Sequence, residues 1–400
     1  MRIESLKYYI QSSNINFLYG SGISRPYLPT LGNVENWLTD LFERRLDGLV
    51  KKTPFIVVKA SIIKRYFEAV MLPNVSPKGT AYDKTIAEYR AFLSIWNDLM
   101  NKRNNRLVNK QVNLFTTNVD TLVERAALGH GVEINDGFQG SLEQLFDAGN
   151  FQKTISKTSL HFQNVSDIPV FNLMKVHGSI NWREDDMLIK NDPRLLLVQS
   201  VETQLKKMDP SLFIDTIKTS ASGGIVDKTM DELIAAASGL GVSDVDIYKP
   251  FLEQYSKLIM INPTKRKFRE SVIDHHFYEL MRQFSNNLEK ENTLLFVMGF
   301  SFADEHLADI TRRAANTNPT LHVIIFAYDD GQKDVISNNL NTSSVVPNNN
   351  ITIITPSSIK ASNQDEKNKR LVDGISVFDL CSINLLFEHI AKSIDIHYDK

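Results

Sequence analysis

The sequence predicts an α/β fold in which a parallel sheet is covered by helices on both faces. Three observations predict it. Short, continuous apolar runs recur along the chain, at 16–19, 112–116, 171–176, 258–261, 294–298, 321–327 and 351–354. Most carry Val, Ile or Phe and stop at Gly, Asn, Asp, His or Pro, and unalternating runs of this length suit strands buried on both faces. Between the runs lie longer segments with helical spacing, and strands alternating with helices define a layered α/β arrangement.

In chain order, the run at 16–19 passes into a glycine turn, Gly20-Ser21-Gly22-Ile23-Ser24. The stretch of about 34–108 then contains three expected helices and no strand. Trp37, Leu38, Leu41, Phe42 and Leu49 share one helical face, and Ile86, Tyr89, Phe92, Leu93, Trp96 and Leu99 share another. The run at 112–116 leads through a polar turn into an amphipathic helix ending near Leu128. The stretch of about 200–290 is again read as mainly helical, at 230–237, 245–257 and 267–284; Pro250 kinks the second or marks its true start. These two stretches are read as helical insertions forming a smaller helical subdomain, within one α/β domain spanning 1–400. Turn-rich 338–350 and polar 357–369 are expected to be loops.

Composition narrows the function classes. Of 400 residues, 45 are Lys or Arg and 47 are Asp or Glu, a net charge of -2. That excludes a surface attractive to phosphate all over. The basic runs Lys265-Arg266-Lys267 and Arg312-Arg313 lack interleaved aromatics, so direct nucleic-acid contact is not expected. The one cysteine, Cys381, can form neither an internal disulfide nor a four-cysteine zinc site, which suits a reducing, cytoplasmic location. The first seven residues show no apolar leader core, and no run approaches the ~20 residues that span a bilayer, so no membrane association is expected.

Four blocks carry chemistry. In Gly20-Ser21-Gly22-Ile23-Ser24 the glycines would let backbone N–H groups approach a phosphate, aided by a following helix N-terminus; an ordinary βα turn explains them equally well. As a dehydrogenase fingerprint the block is incomplete, because Arg25 stands where the third glycine belongs. In Thr117-Asn118-Val119-Asp120, Asn118 and Asp120 would project from a strand's carboxyl end, although Asp120 alone reads as a helix cap. In His177-Gly178-Ser179, His177 is either a structural residue or a general base with room left beside it by Gly178. In Gly299-Phe300-Ser301 a glycine turn leads into a helix capped by Ser301 or Asp304. A further run, Ile261-Asn262-Pro263-Thr264-Lys265, offers polar groups at another strand end or a proline-closed loop.

In type, order and position these four blocks resemble the sirtuin core, over roughly 15–30, 110–182 and 290–330. The resemblance implies a Rossmann-like sheet that binds NAD. By similarity, Gly20, Ser21, Gly22 and Ser24 would contact the cofactor phosphates. Asn118 would sit on the nicotinamide ribose or order a water, Asp120 would hold the carboxamide, and His177 would act as base. Gly299, Phe300 and Ser301 would lie along the adenosine half. The chain departs from protein deacylases of the family in lacking their four-cysteine zinc module. It also reads Arg25-Pro26-Tyr27-Leu28-Pro29-Thr30 where they carry Gly-Ile-Pro-Asp-Phe-Arg. It is more similar to divergent bacterial sirtuin-like proteins that hydrolyse NAD in anti-phage defence, and its layout resembles the partner of a HerA-type ATPase in two-gene systems. The resemblance therefore implies an NAD hydrolase without zinc, homo-oligomeric and partnered by such an ATPase. Two other functions stay open: NAD-dependent protein deacylation in the same pocket, and a non-catalytic NAD- or ADP-ribose-binding subunit.

Overall fold

The structure is a computed structural model and describes residues 1–30, 33–103, 108–220, 223–261, 275–341 and 348–395. Its centre is a seven-stranded sheet of Rossmann-like character, with every strand pair parallel. The strands are β1 (Asn14–Tyr19), β2 (Gln111–Thr116), β3 (Glu133–Asn135), β4 (Val170–Lys175), β5 (Thr293–Met298), β6 (His322–Phe326) and β7 (Ile351–Ile354). Their order across the sheet is β7-β6-β5-β1-β2-β4-β3. From β1 the chain builds outward on one side, then returns and builds outward on the other, so a topological switch lies between β1 and β5. In open α/β sheets the crevice outside the strands' carboxyl ends at such a switch is where ligands bind.

Period-two alternation sorts the strand residues into two cores. Phe17, Tyr19, Leu114, Leu173 and Phe296 face one side, packed by helices Ile3–Ser12, Thr80–Asn101 and Leu380–Asp395. Leu18, Phe115, Met174, Leu295 and Val297 face the other, packed by helices His275–Leu288 and Glu305–Thr317. A third core holds the helical subdomain. It joins helices Val34–Leu46, Lys52–Tyr66, Leu196–Lys206, Met230–Gly239 and Lys249–Tyr255 around Trp37, Val58, Val198, Leu233 and Phe251. The two helical stretches therefore do not join the subdomain whole. Helix Thr80–Asn101 and helix His275–Leu288 carry apolar faces that pack on the sheet.

Other expectations differ locally. The run at 258–261 forms no strand; it makes one isolated antiparallel bridge, Met260 to Gly178. The stretch 357–369 is not a loop. Helices Pro356–Ser362 and Glu366–Asp373 occupy it, started by side-chain caps from Thr355 and Asp365. A hairpin, Ile217–Thr219 with Ile225–Asp227, interrupts the second helical stretch. Pro250 lies in the first turn of helix Lys249–Tyr255, where a missing N–H costs nothing, so it marks a start. Within 338–350, residues 342–347 lie outside the described residues, as does the 267–274 part of the expected helix at 267–284.

A buried amide ladder crosses four strands in register. Asn16, Asn113, Asn172 and Asn135 are paired neighbours. Asn113 Nδ2 donates to Asn16 Oδ1 (2.9 Å), Asn172 Nδ2 to Asn113 Oδ1 (2.9 Å) and Asn135 Nδ2 to Asn172 Oδ1 (3.1 Å). Asn113 Nδ2 also reaches Asn287 Oδ1 on the covering helix (3.1 Å). A slip by one residue would turn every amide into the opposite apolar core. Asn113→Leu leaves Asn16 Oδ1 and Asn172 Nδ2 without these partners, and should lower the unfolding free energy by about 2 kcal/mol or more in chemical denaturation. A loss within error would show that the ladder contributes no stability.

Candidate functional site

The turns that follow β1, β2, β4, β5 and β6 converge on one cleft of about 820 Å³ at the carboxyl edge of the sheet. Such a volume falls in the range of small-molecule sites, about 300–1,000 Å³. Ser21, Gly22, Ser24, Asn118, Asp120, His177, Gly299, Phe300 and Ser301 all line it; of the residues that the resemblance would put in contact with the cofactor, Gly20 alone is not in the lining. The helical subdomain supplies the facing wall with Tyr66 and Val70. Beyond β6 the lining turns apolar, with Val335, Ile336 and Phe378 beside Tyr328.

The glycines have a packing reason of their own. Gly22 N–H donates to Gly299 O (3.1 Å), and a Cβ on Gly22 would lie 2.7 Å from Gly299 Cα. Gly299 itself has φ +56°, and its Cβ would meet Ile23 N at 2.6 Å. The turns after β1 and β5 thus touch backbone to backbone across the switch point. After Gly20 the chain makes a single 3-10 turn, Ser21–Ser24, and among the described residues no α-helix starts before Val34, so no helix dipole follows this turn directly. Gly178 likewise does not open space for a ligand. Its φ is +76°, and a Cβ there would sit 2.2 Å from Ile259 O. The 258–261 segment clamps this turn, with Ser179 N–H donating to Ile259 O (3.1 Å) and Ile261 N–H to His177 O (2.9 Å).

Ser24 is the hub of the polar end. Its hydroxyl lies 3.0 Å from Tyr89 Oη, accepts from Asn118 Nδ2 (3.0 Å) and donates to Asp120 Oδ2 (3.2 Å). One hydroxyl proton serves one acceptor, so with Asp120 taking it the Tyr89 phenol must donate. Asp120 Oδ1 accepts from Leu122 N–H (3.0 Å) at the start of helix Leu122–Ala127. Thr121 is the N-cap of that helix, so Asp120 stands one residue before the cap position the sequence suggested, tying one oxygen to the helix start and the other to Ser24 at the cleft. Burial pushes its carboxyl above the ordinary range; Lys175, the Leu122 N–H and the Ser24 hydroxyl pull the other way without cancelling this. Burial, followed by the nearby Asp120, also raises the phenols of Tyr66 and Tyr89.

Between Asn118 and Asp120, Val119 inserts into the helical core, as does Ile180 after Ser179. Ile180 N–H donates to Val119 O (3.1 Å). Beneath them Lys175, only 4% exposed, sends its ammonium to Glu124 Oε1 (2.6 Å), to Ser179 Oγ (2.8 Å) and to the backbone carbonyl of Asp120. One buried cation thereby holds the turn after β2 against the turn after β4. The sequence shows Lys175 only as a lysine within the apolar run 171–176, and nothing in its spacing identifies Glu124 as its partner.

His177 is buried, and its Nε2 lies 2.9 Å from Asp304 Oδ2. Asp304 is the N-cap of helix Glu305–Thr317; its Oδ1 accepts from His306 N–H (3.1 Å) and Leu307 N–H (3.2 Å). The pair bridges the turns after β4 and β5, which stand three strand spacings apart, about 14 Å across the sheet. In the same loop Phe302 adopts a left-handed backbone, φ +59°, at a cost of about 1–2 kcal/mol, and is held there by burial and by an edge contact with Phe300. The run 262–265 and the basic run 265–267 lie outside the described residues. Arg312 of the second basic run pairs with Asp309 on its own helix (2.6 Å).

The fold and cleft define a Rossmann-like α/β protein with a crevice at its topological switch, polar at one end and apolar at the other. Comparison with known protein families and with curated proteins finds no significant match. No helix among the described residues is long and apolar enough to cross a membrane, and none of their His, Cys, Asp and Glu side chains group as a metal site would.

Lys175→Met would strand the Glu124 carboxylate, whose Oε2 already has no hydrogen-bond partner. We expect a loss of up to about 3 kcal/mol, the low end for a broken buried pair, because Glu124 keeps part of its side chain in solvent. Adding Glu124→Leu should recover most of it in chemical denaturation. A double variant no more stable than the single one would contradict this account.

Proposed function

We propose that this protein hydrolyses NAD at the bond between nicotinamide and ribose. The observation that carries the reading is the convergence of Ser24, Asn118, Asp120 and His177, from three separate turns, on one cleft that is polar at this end and apolar at the other. A dinucleotide has matching ends. Its phosphates would lie along Ser21 and Gly22, its adenosine half along Gly299, Phe300 and Ser301, and its base against the apolar lining near Phe378. The nicotinamide ribose would then stand at Asn118, Asp120 and His177.

The chemistry asks little covalent work of the protein. The C1′–N bond breaks with its electron pair leaving on nicotinamide, which departs neutral, and C1′ takes on oxocarbenium character. Water attacks C1′, and its proton passes to His177 and then to solvent, giving ADP-ribose. The site must hold the bent dinucleotide, shield the cationic sugar and place the water. Asn118, fixed by Ser24, orients the ribose or the water. Asp120 receives the carboxamide, and its buried carboxyl lies close to the developing cation.

By resemblance of the same four blocks, we read the physiological role as NAD depletion in anti-phage defence. The protein would act in the cytoplasm, as a homo-oligomer in complex with a HerA-type ATPase. The direct test is incubation with NAD, with and without a co-purified ATPase, followed by detection of nicotinamide and ADP-ribose. His177→Ala and Asn118→Ala should each lower nicotinamide release by about 10²–10⁴-fold, with the unfolding transition retained. Unchanged turnover in both variants would sink the assignment. Tight NAD binding without turnover, with or without the ATPase, would favour the nucleotide-sensing subunit instead.

A further inference from the structure

Asp304 does two jobs with its two oxygens. Oδ1 accepts from the first N–H groups of helix Glu305–Thr317, and Oδ2 faces Nε2 of His177 at 2.9 Å. Both residues are buried, so neither contact is a solvated surface pairing. A carboxylate has only acceptors, so Nε2 must carry the proton in this bond, and the lone pair of the neutral ring is left on Nδ1.

We propose that Asp304 is the positioning residue for His177: it sets the tautomer that leaves Nδ1 as the basic nitrogen. The proposal rests on the NAD-hydrolase reading for its consequence in turnover, but not for the tautomer itself. It also assigns the loop after β5 a second task. The loop would line the cleft and also carry, across β1 and β2, the group that orients the base. Among the described residues, the other charged ones lining the cleft are Arg25, Glu35 and Asp120, and Asp304 is the carboxylate bonded to the ring.

The geometry supplies a clean test, because an amide cannot present oxygen on both sides. In Asp304→Asn the helix N–H groups demand the carbonyl oxygen, and asparagine caps helices as well as aspartate does. The NH₂ group is thereby turned toward Nε2. Nε2 must then accept, and the proton moves to Nδ1. In Asp304→Ala both the cap and the partner are lost.

The experiment measures three quantities on the full chain: the unfolding midpoint, the imidazole ¹⁵N shifts of His177 after histidine labelling, and nicotinamide release from NAD. The His177 signals are assigned by their loss in His177→Ala. For Asp304→Asn we expect an unchanged midpoint, a switch from the Nε2–H to the Nδ1–H tautomer and turnover at least about 100-fold lower. For Asp304→Ala we expect a lower midpoint as well. An Asp304→Asn protein that keeps the Nε2–H signature and the wild-type rate overturns the proposal. If the wild-type protein releases no nicotinamide even with the ATPase present, the hydrolase reading fails, while the tautomer comparison still decides whether Asp304 governs the ring.

Discussion

The site depends first on a single buried ammonium. Lys175 lies at the end of β4, almost wholly out of solvent, and its three donors are spent on Glu124, Ser179 and the carbonyl of Asp120. A cation in such a place is tolerable only when paired and fully hydrogen-bonded. That requirement constrains the chain around it. Helix Leu122–Ala127 must bring Glu124 underneath, the turn after β2 must offer a backbone oxygen, and the turn after β4 must offer a hydroxyl. Asn118, Asp120 and His177 are all borne on those two turns. Their mutual placement is thus a by-product of satisfying one charge.

A second constraint comes from the helical subdomain. Val119 and Ile180 are buried in its core, although both belong to turns of the sheet. Each turn therefore alternates between two environments, with its polar residues facing the cleft and its apolar ones gripping the helices. Asn74, beneath the subdomain wall, adds a polar tie, accepting from Thr121 N–H (3.2 Å) and, through its backbone oxygen, from Arg125 (2.7 Å). The cleft is shaped by three bodies at once: the sheet edge, the subdomain and the loop after β5. Side chains held by packing on several elements keep a site in one geometry, which catalysis and tight binding both require.

Much of this was legible in the sequence. The strand runs are unalternating because both sheet faces are buried, so six of the seven central strands could be read directly. The exception, Glu133–Asn135, is a three-residue edge strand whose polar residues show no apolar run. The run at 258–261 shows the opposite error: it is apolar because it is buried against the Gly178 turn, and burial alone does not make a strand. Helices Pro356–Ser362 and Glu366–Asp373 were hidden by polar composition, although Thr355 and Asp365 stand at their caps. The glycines at 22, 178 and 299 were visible as punctuation. Their actual reason, backbone packed against backbone, lies in chain segments far away in sequence.

The sequence alone determined the alternation of strands and helices, the turns at their ends and the kinds of side chain those turns carry, because these follow from local apolar patterning and turn chemistry. It could not determine which turns meet. Lys175 with Glu124, Ser24 with Asp120, and His177 with Asp304 are separated by 51, 96 and 127 positions. No local preference encodes such pairs. They are decided by strand order, which places β1 between β2 and β5, and by the cost of leaving a charge or a polar group buried without a partner.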